Sequence, residues 1–218
     1  MSATLPLLLL PMVTLASPAP RRASADAGEP KPVERFTIPV AVGILGVSLI
    51  AAHALAPGDY SLRTHTISDL GAQGYDHAWV MRTGFLGFGT VLAGTAVWDL
   101  GAAKQPWARE VPLMLYGASM SLSGVFSAPP FRDGEGYSQR QADLHQVSAM
   151  SAGLSLSAAM LAHAITEDEP AKRWFDVGAL VFTGAVSAAF ALDAENQGIW
   201  QRVLWAGGLS WLTVSATW

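Results

Sequence analysis

"FTIPVAVGILGVSLIAAHALAPG", Phe36 to Gly58, contains no Asp, Glu, Lys or Arg. A helix needs roughly 20 consecutive apolar residues to cross the hydrocarbon core of a bilayer, and this run is long enough. Hydrocarbon offers no water to backbone N–H and C=O groups, so the chain must pair them within the segment, which a helix does. The stretch predicts a membrane-spanning helix.

The rest of the chain repeats the pattern. Ala78–Trp98 is interrupted only by Arg82, and Val111–Phe131 is uncharged throughout. Leu144–Thr166 carries only His145 and His163, Trp174–Leu192 only Asp176, and Ile199–Trp218 only Arg202. Gly and Ala recur through these runs, as close packing between membrane helices favours. Trp79, Trp98, Trp107, Trp174 and Trp200 fall near their ends, where amphipathic rings sit at headgroup level. A transmembrane β-barrel would instead alternate polar and apolar residues over strands of about 10 residues. The predicted fold is all-α, an integral membrane bundle of six transmembrane helices over residues 36–218, in the cell membrane with the lipid bilayer as its partner.

Composition agrees. Of 218 residues, 51% are hydrophobic and 14% charged, against about 25% charged in soluble domains. A net charge of −4 with no basic stripe argues against nucleic acid as a partner. There is no cysteine, which excludes disulfides, thiolate nucleophiles and Cys-ligated metals. Residues 1–35 read as a disordered or processed N-terminal tail. Leu5–Ala16 resembles a signal-peptide core without a preceding basic residue, and Ser17–Pro32 is a Pro- and Ala-rich linker.

Lysine and arginine set the orientation. Arg21, Arg22, Lys31, Arg35, Lys104, Arg109, Lys172 and Arg173 fall on one side, and Arg63, Arg82, Arg132, Arg140 and Arg202 on the other. By the positive-inside rule both termini are cytoplasmic. Three connections then face outward: the loop containing "SLRTHTISDLGAQG" (Ser61–Gly74), "APPFRDGEGYSQRQADLHQ" (Ala128–Gln146) and "LDAENQGIWQR" (Leu192–Arg202). Most of the chain's ionisable chemistry collects there.

In the first loop His65 and Asp69 stand four apart and share a face if the segment turns helically. Ile67 and Leu70 would share another, giving a short half-buried helix that Gly71 stops. Thr66 with Asp69 three later is a capping-box-like pair, in which the carboxylate serves backbone N–H groups. The same carboxylate could instead orient an imidazole or share a metal with it. In the fourth span His145, Ser148, Ser151 or Ala152, and Ser155 form one small, weakly polar face, whose serines read first as close packing. His145 at the span's mouth points to the bundle interior or a wet cavity. His163 lies roughly 27 Å further along the helix and belongs to the opposite surface.

"HTISDLGA" after a first span, a third span ending in Phe-x-x-x-Pro before an acidic loop, and "LHQVSAM" opening the fourth together resemble a family of prokaryotic multi-pass membrane proteins, domain of unknown function 998. The resemblance covers Phe36–Trp218 and implies the multi-pass fold and topology. It implies no particular activity. Where the family's pattern has Pro-x-Asp after the third span, "SAPPFRD" here moves the acid to Asp133.

Two function classes follow. One is a membrane enzyme acting on a lipid or isoprenoid-like substrate, with His65, Asp69, His145 and Asp193 as catalytic acid/base groups and Arg63 and Arg132 binding an anionic headgroup. A divalent metal is its candidate cofactor, with His65, Asp69 and His145 as candidate ligands. A hydrolase would need a metal- or His-activated water, and an isoprenoid cyclase a protonated carboxyl in an apolar cavity. The other class is a non-catalytic ligand-binding, accessory or transport protein. Transport is disfavoured because no span centre carries a firmly intramembrane charge.

The charge asymmetry makes a topological prediction. Reporter fusions truncated after Gly74 and Gly136 will report the outside, and one after Ala103 the cytoplasm. The inverse pattern would place the polar loops on the cytoplasmic face.

Overall fold

The computed structural model describes residues 34–102 and 106–217. The expected N-terminal tail lies outside the described residues except for Glu34 and Arg35, which open the first helix. Six α-helices follow: α1 Glu34–Ala54, α2 Ala78–Gly101, α3 Trp107–Val125, α4 Gln139–Thr166, α5 Pro170–Leu192 and α6 Gln197–Ser215. Short 3₁₀ turns, Ser68–Gly71 and Ala194–Asn196, lie in the connections before α2 and α6. Among the described residues there is no strand.

Four of the six helices (α1 from Thr37, α2, α4 and α5) are long and apolar enough to cross a membrane. The remaining two have the length, 19 residues each, or about 28 Å at the α-helical rise. Their composition is more polar. α3 carries Arg109, Glu110 and three serines, and α6 carries Gln197, Gln201 and Arg202. The outward faces of the apolar helices present Val47, Ile50, Leu154 and Val181, each at least 66% exposed. Water would select charged residues at such positions, whereas lipid accepts these.

Each helix packs on its sequence neighbour, most extensively α2 on α3 and α3 on α4. Contact between α1 and α6 is sparse. The core runs from Leu45 and Phe85 through Phe88, Met120 and Met160 to Trp211. The connections 55–77, 126–138 and 193–196 meet at one end of the bundle, joined by Gln73 N–H to the Ala128 carbonyl, Arg132 to Asp59, and Arg63 to Asn196. The end of α2, the start of α3 and the brief connection 167–169 lie at the other.

Small residues permit the tightest contact. A methyl at Gly89 of α2 would stand 2.3 Å from the Gly117 carbonyl oxygen, and one at Gly117 would stand 2.5 Å from the Ala93 nitrogen. On α4, Ser148 is buried and returns its hydroxyl to the Leu144 carbonyl of its own helix, 2.7 Å away. The small face of α4 thus serves packing, as its spacing suggests.

Gly89→Ala should lower thermal stability in detergent by about 1–3 kcal/mol, because rigid backbone cannot yield to the methyl. Gly94→Ala, whose methyl would meet nothing within 4 Å, should leave the melting temperature unchanged or slightly raised. Equal effects would mean that α2 and α3 do not make this contact.

Candidate functional site

The end that gathers the long connections is built around the first loop. Thr66 and Asp69 form a reciprocal pair. The Thr66 N–H donates to Asp69 Oδ2 at 2.7 Å, and the Asp69 N–H donates to Thr66 Oγ1 at 3.2 Å. This is the capping-box arrangement expected from their spacing. It starts the 3₁₀ turn and sends Ile67 and Leu70, 2% and 5% exposed, into the main core. Burial raises the Asp69 carboxyl above its ordinary range, opposed by the Thr66 hydrogen bonds and by the nearby His65 and His145.

Helix α6 holds this loop down. Arg202 Nη1 donates to the carbonyls of Leu62, His65 and Gly198 at 2.7–2.9 Å. Its Nη2 donates to Tyr60 Oη and to His53 Nε2. Because a guanidinium only donates, His53 accepts through Nε2, and its Nδ1–H is left to donate to the Leu49 carbonyl at 2.8 Å. The Tyr60 hydroxyl donates to the Thr66 carbonyl, also at 2.8 Å. Gln201 accepts from the Ile67 N–H. Gly198, one turn before Arg202, has to be glycine, since a Cβ there would lie 2.4 Å from the His65 carbonyl oxygen.

A second cluster ties the first loop to the second. His65 stacks on Phe131, ring centroids 4.1 Å apart, while its Nδ1 accepts from the Ser61 N–H at 2.9 Å. Arg132 grips Asp59 through two 2.7 Å hydrogen bonds and lies over the Tyr75 ring. That bidentate bond holds the Asp59 carboxyl down to about 2. The Gln73 side chain accepts from the Ser138 N–H and donates to the Ser127 and Ser138 carbonyls.

His145 completes the end of α3. A helix leaves its last four carbonyls without intrahelical partners, and here each of them is served. Leu122 accepts from the Phe126 N–H, Ser123 from His145 Nδ1, Gly124 from Arg82 Nε and Val125 from Arg82 Nη2, all at 2.7–3.0 Å. The His145 Nδ1 also reaches the Phe126 carbonyl. With carbonyls on both contacts, Nδ1 carries the proton. Nε2 is buried without a hydrogen-bond partner.

The model of the family described as Protein of unknown function (DUF998) matches residues 40–218. The chain belongs to this family. Neither a curated protein nor a solved structure matches it significantly. The segment matched to DUF998 holds every element of this end of the bundle, from the first loop to α6, in a multi-pass membrane protein.

The six residues singled out from sequence do not form one constellation. His65, Asp69 and His145 are close enough for both imidazoles to act on the carboxylate. Among the described residues, however, no group of three His, Asp or Glu is placed to hold a metal ion. His65 and His145 turn Nδ1 to backbone groups, and Asp69 turns Oδ2 to Thr66. Asp193 stands elsewhere, accepting from Asn196 Nδ2 and from Trp200 Nε1 at 3.0 Å. Those bonds hold its carboxyl below the ordinary range. Arg63 is exposed and engages Asn196 and Glu195.

A cleft of about 280 Å³ opens beside this cluster. It is lined by the apolar Ala52, Leu55, Ala56, Pro57 and Leu70 and by Tyr75, Asp76, His77 and Arg132. Of the six, only Arg132 lines it. Gly198, Gln201 and Arg202 were legible only as the polar edge of the last span, because their partners lie more than a hundred positions earlier in the chain.

Proposed function

We propose that this DUF998 protein crosses the cell membrane six times with both termini cytoplasmic, and that its outer end binds an amphiphilic molecule of lipid or isoprenoid type in the cleft. The cleft carries the reading. Its lining combines apolar residues at and just after the end of α1 and Leu70 with Tyr75, Asp76, His77 and Arg132, where the helices meet the loops. Trp79, 62% exposed, stands beside it at the start of α2, as an interfacial ring does. An apolar tail would lie against Leu55, Ala56 and Pro57, and a polar head would meet His77 and Arg132.

Binding without chemistry fits this geometry best. Asp69, Asp193 and Arg132, which a catalytic reading would use, hold the loops through Thr66, through Trp200 and Asn196, and through Asp59. A second reading, acid/base catalysis on the same class of ligand, is favoured by Asp69. It is the aspartate of these loops whose carboxyl burial pushes up, while Asp59 and Asp193 are held down. In that reading Asp69 supplies the proton and His65 and His145 position it.

Photo-crosslinking will test the proposal. The purified protein is placed in vesicles containing a diazirine-labelled phospholipid or a diazirine-labelled isoprenoid. Labelling should map to residues 52–57 and 74–78, and Leu55→Trp, which fills the cleft, should reduce it roughly tenfold, about 1.4 kcal/mol of binding. Equal labelling of the variant, or labels spread evenly over the lipid-facing helices, would refute the cleft as a binding site. Conversion of the probe by the wild type, lost in Asp69→Asn, would favour the second reading.

A further inference from the structure

The Arg202 clamp contains a group that it can hold in only one charge state. His53, in the last turn of α1, commits both ring nitrogens. Nδ1 donates to the Leu49 carbonyl at 2.8 Å, one turn back in its own helix, and Nε2 accepts from Arg202 Nη2 at 3.0 Å. Its partners fix the tautomer, because a guanidinium only donates and a carbonyl only accepts. In this arrangement His53 is neutral. A proton can be added only at Nε2, where it would set N–H against N–H and a second positive charge beside the first.

No bonded counter-charge offsets that repulsion. α1 packs on α2 and α6, and the first loop covers its end. The first loop brings Tyr60, edge-on to His53 with ring centroids 5.8 Å apart, and His65, 5.5 Å from Tyr60. It also brings Asp69, whose charge acts on Tyr60, and Asp59, which Arg132 takes up. α2 brings Arg82, turned to the Gly124 and Val125 carbonyls of α3. α6 brings Arg202 itself. Its acceptors are three carbonyls, a hydroxyl and this imidazole, and none is a carboxylate.

The clamp transmits the repulsion to the loop. A guanidinium is a rigid planar fork, so Nη2 cannot swing away from His53 without turning Nη1, which holds the Leu62, His65 and Gly198 carbonyls. Contact between α1 and α6 is too sparse to oppose the separation. His53, Tyr60 and Arg202 are each half-buried at the loop end, so protons reach the ring while the protein stays folded.

We infer that His53 is a pH-sensitive latch on the first loop: neutral, it accepts from Arg202 and the loop is clamped; protonated, it repels Arg202 and residues 61–71 are released. The clamp's stability is therefore complete above the range in which imidazoles titrate and is lost as pH falls through it. Leu70, one of the residues lining the cleft, lies in the released segment, so acidification reshapes the cleft. The latch needs no ligand there, and it stands or falls apart from the lipid-binding reading.

The absence of cysteine allows a single reporter. A nitroxide on Thr64→Cys, an exposed position of the loop, is followed by electron paramagnetic resonance of the full chain in detergent from about pH 8 to about pH 5, the interval over which imidazoles take their charge. The ratio of mobile to immobile signal should rise roughly tenfold on acidification, as loss of a charge-assisted hydrogen bond implies. A label on Leu154→Cys, on the exposed face of α4, should not respond. In the loop-labelled protein, His53→Gln, which keeps an acceptor and cannot charge, should stay immobile throughout, and His53→Lys, always charged, should be mobile throughout. If His53→Lys does not fold, His53→Gln decides. A loop signal indifferent to pH would overturn the proposal. So would a change that the α4 label shares, or one that persists in His53→Gln and so belongs to His65 or Asp69.

Discussion

A half-buried guanidinium carries five N–H donors and no acceptor, so it needs several acceptors close by. Arg202 finds them in the first loop. Its donors take the carbonyls of Leu62, His65 and Gly198, the hydroxyl of Tyr60 and the imidazole of His53. α1 and α6 pack little against each other, so this hub joins the first helix to the last. Gly198 lets α6 approach the loop's carbonyls, Gln201 takes the Ile67 N–H, and Ile67 with Leu70 is thereby seated in the core. The position of the first loop, and with it part of the cleft lining, depends on that interaction.

The same constraint separates the roles of the carboxylates. Asp59, exposed and gripped by Arg132, and Asp193, bonded to Trp200 and Asn196, are held in their charged forms. Asp69 loses hydration and gains two bonds to Thr66, and desolvation prevails. At the loop end most polar groups close on one another, down to the last carbonyls of α3, yet Tyr75 Oη and His145 Nε2 stay buried without a partner, as do Asp176 Oδ2 and His163 Nε2 at the other end.

Apolar run length located all six helices, because membrane spans are specified by composition over about 20 residues rather than by subtle periodicity. The Thr66–Asp69 pair was legible because capping is local. Boundaries were less so. α3 stops at Val125, six residues before the expected Phe131, where Arg82 and His145 close its carbonyls ahead of Pro129 and Pro130. α4 starts five residues before the expected Leu144, with Ser138 accepting from the Gln141 N–H at its N-terminus. Long-range partners were not legible at all. Arg202 read as a charge at the edge of a span and His163 as incidental, since nothing local connects them to Tyr60 or Trp211. Asp176, near the end of its span in sequence, proves to be enclosed by its neighbours.

Hydrogen–deuterium exchange of residues 59–71 in detergent addresses the central claim most directly. Replacing Arg202 by Gln removes the clamp, and replacing Arg63 by Ala removes only exposed contacts to Glu195 and Asn196, of which the ion pair is worth about 0–1 kcal/mol. The account predicts that Arg202→Gln accelerates exchange throughout this segment, Ile67 and Leu70 included, while Arg63→Ala leaves it unchanged. Unaltered protection in Arg202→Gln, with the helices still formed, would contradict it.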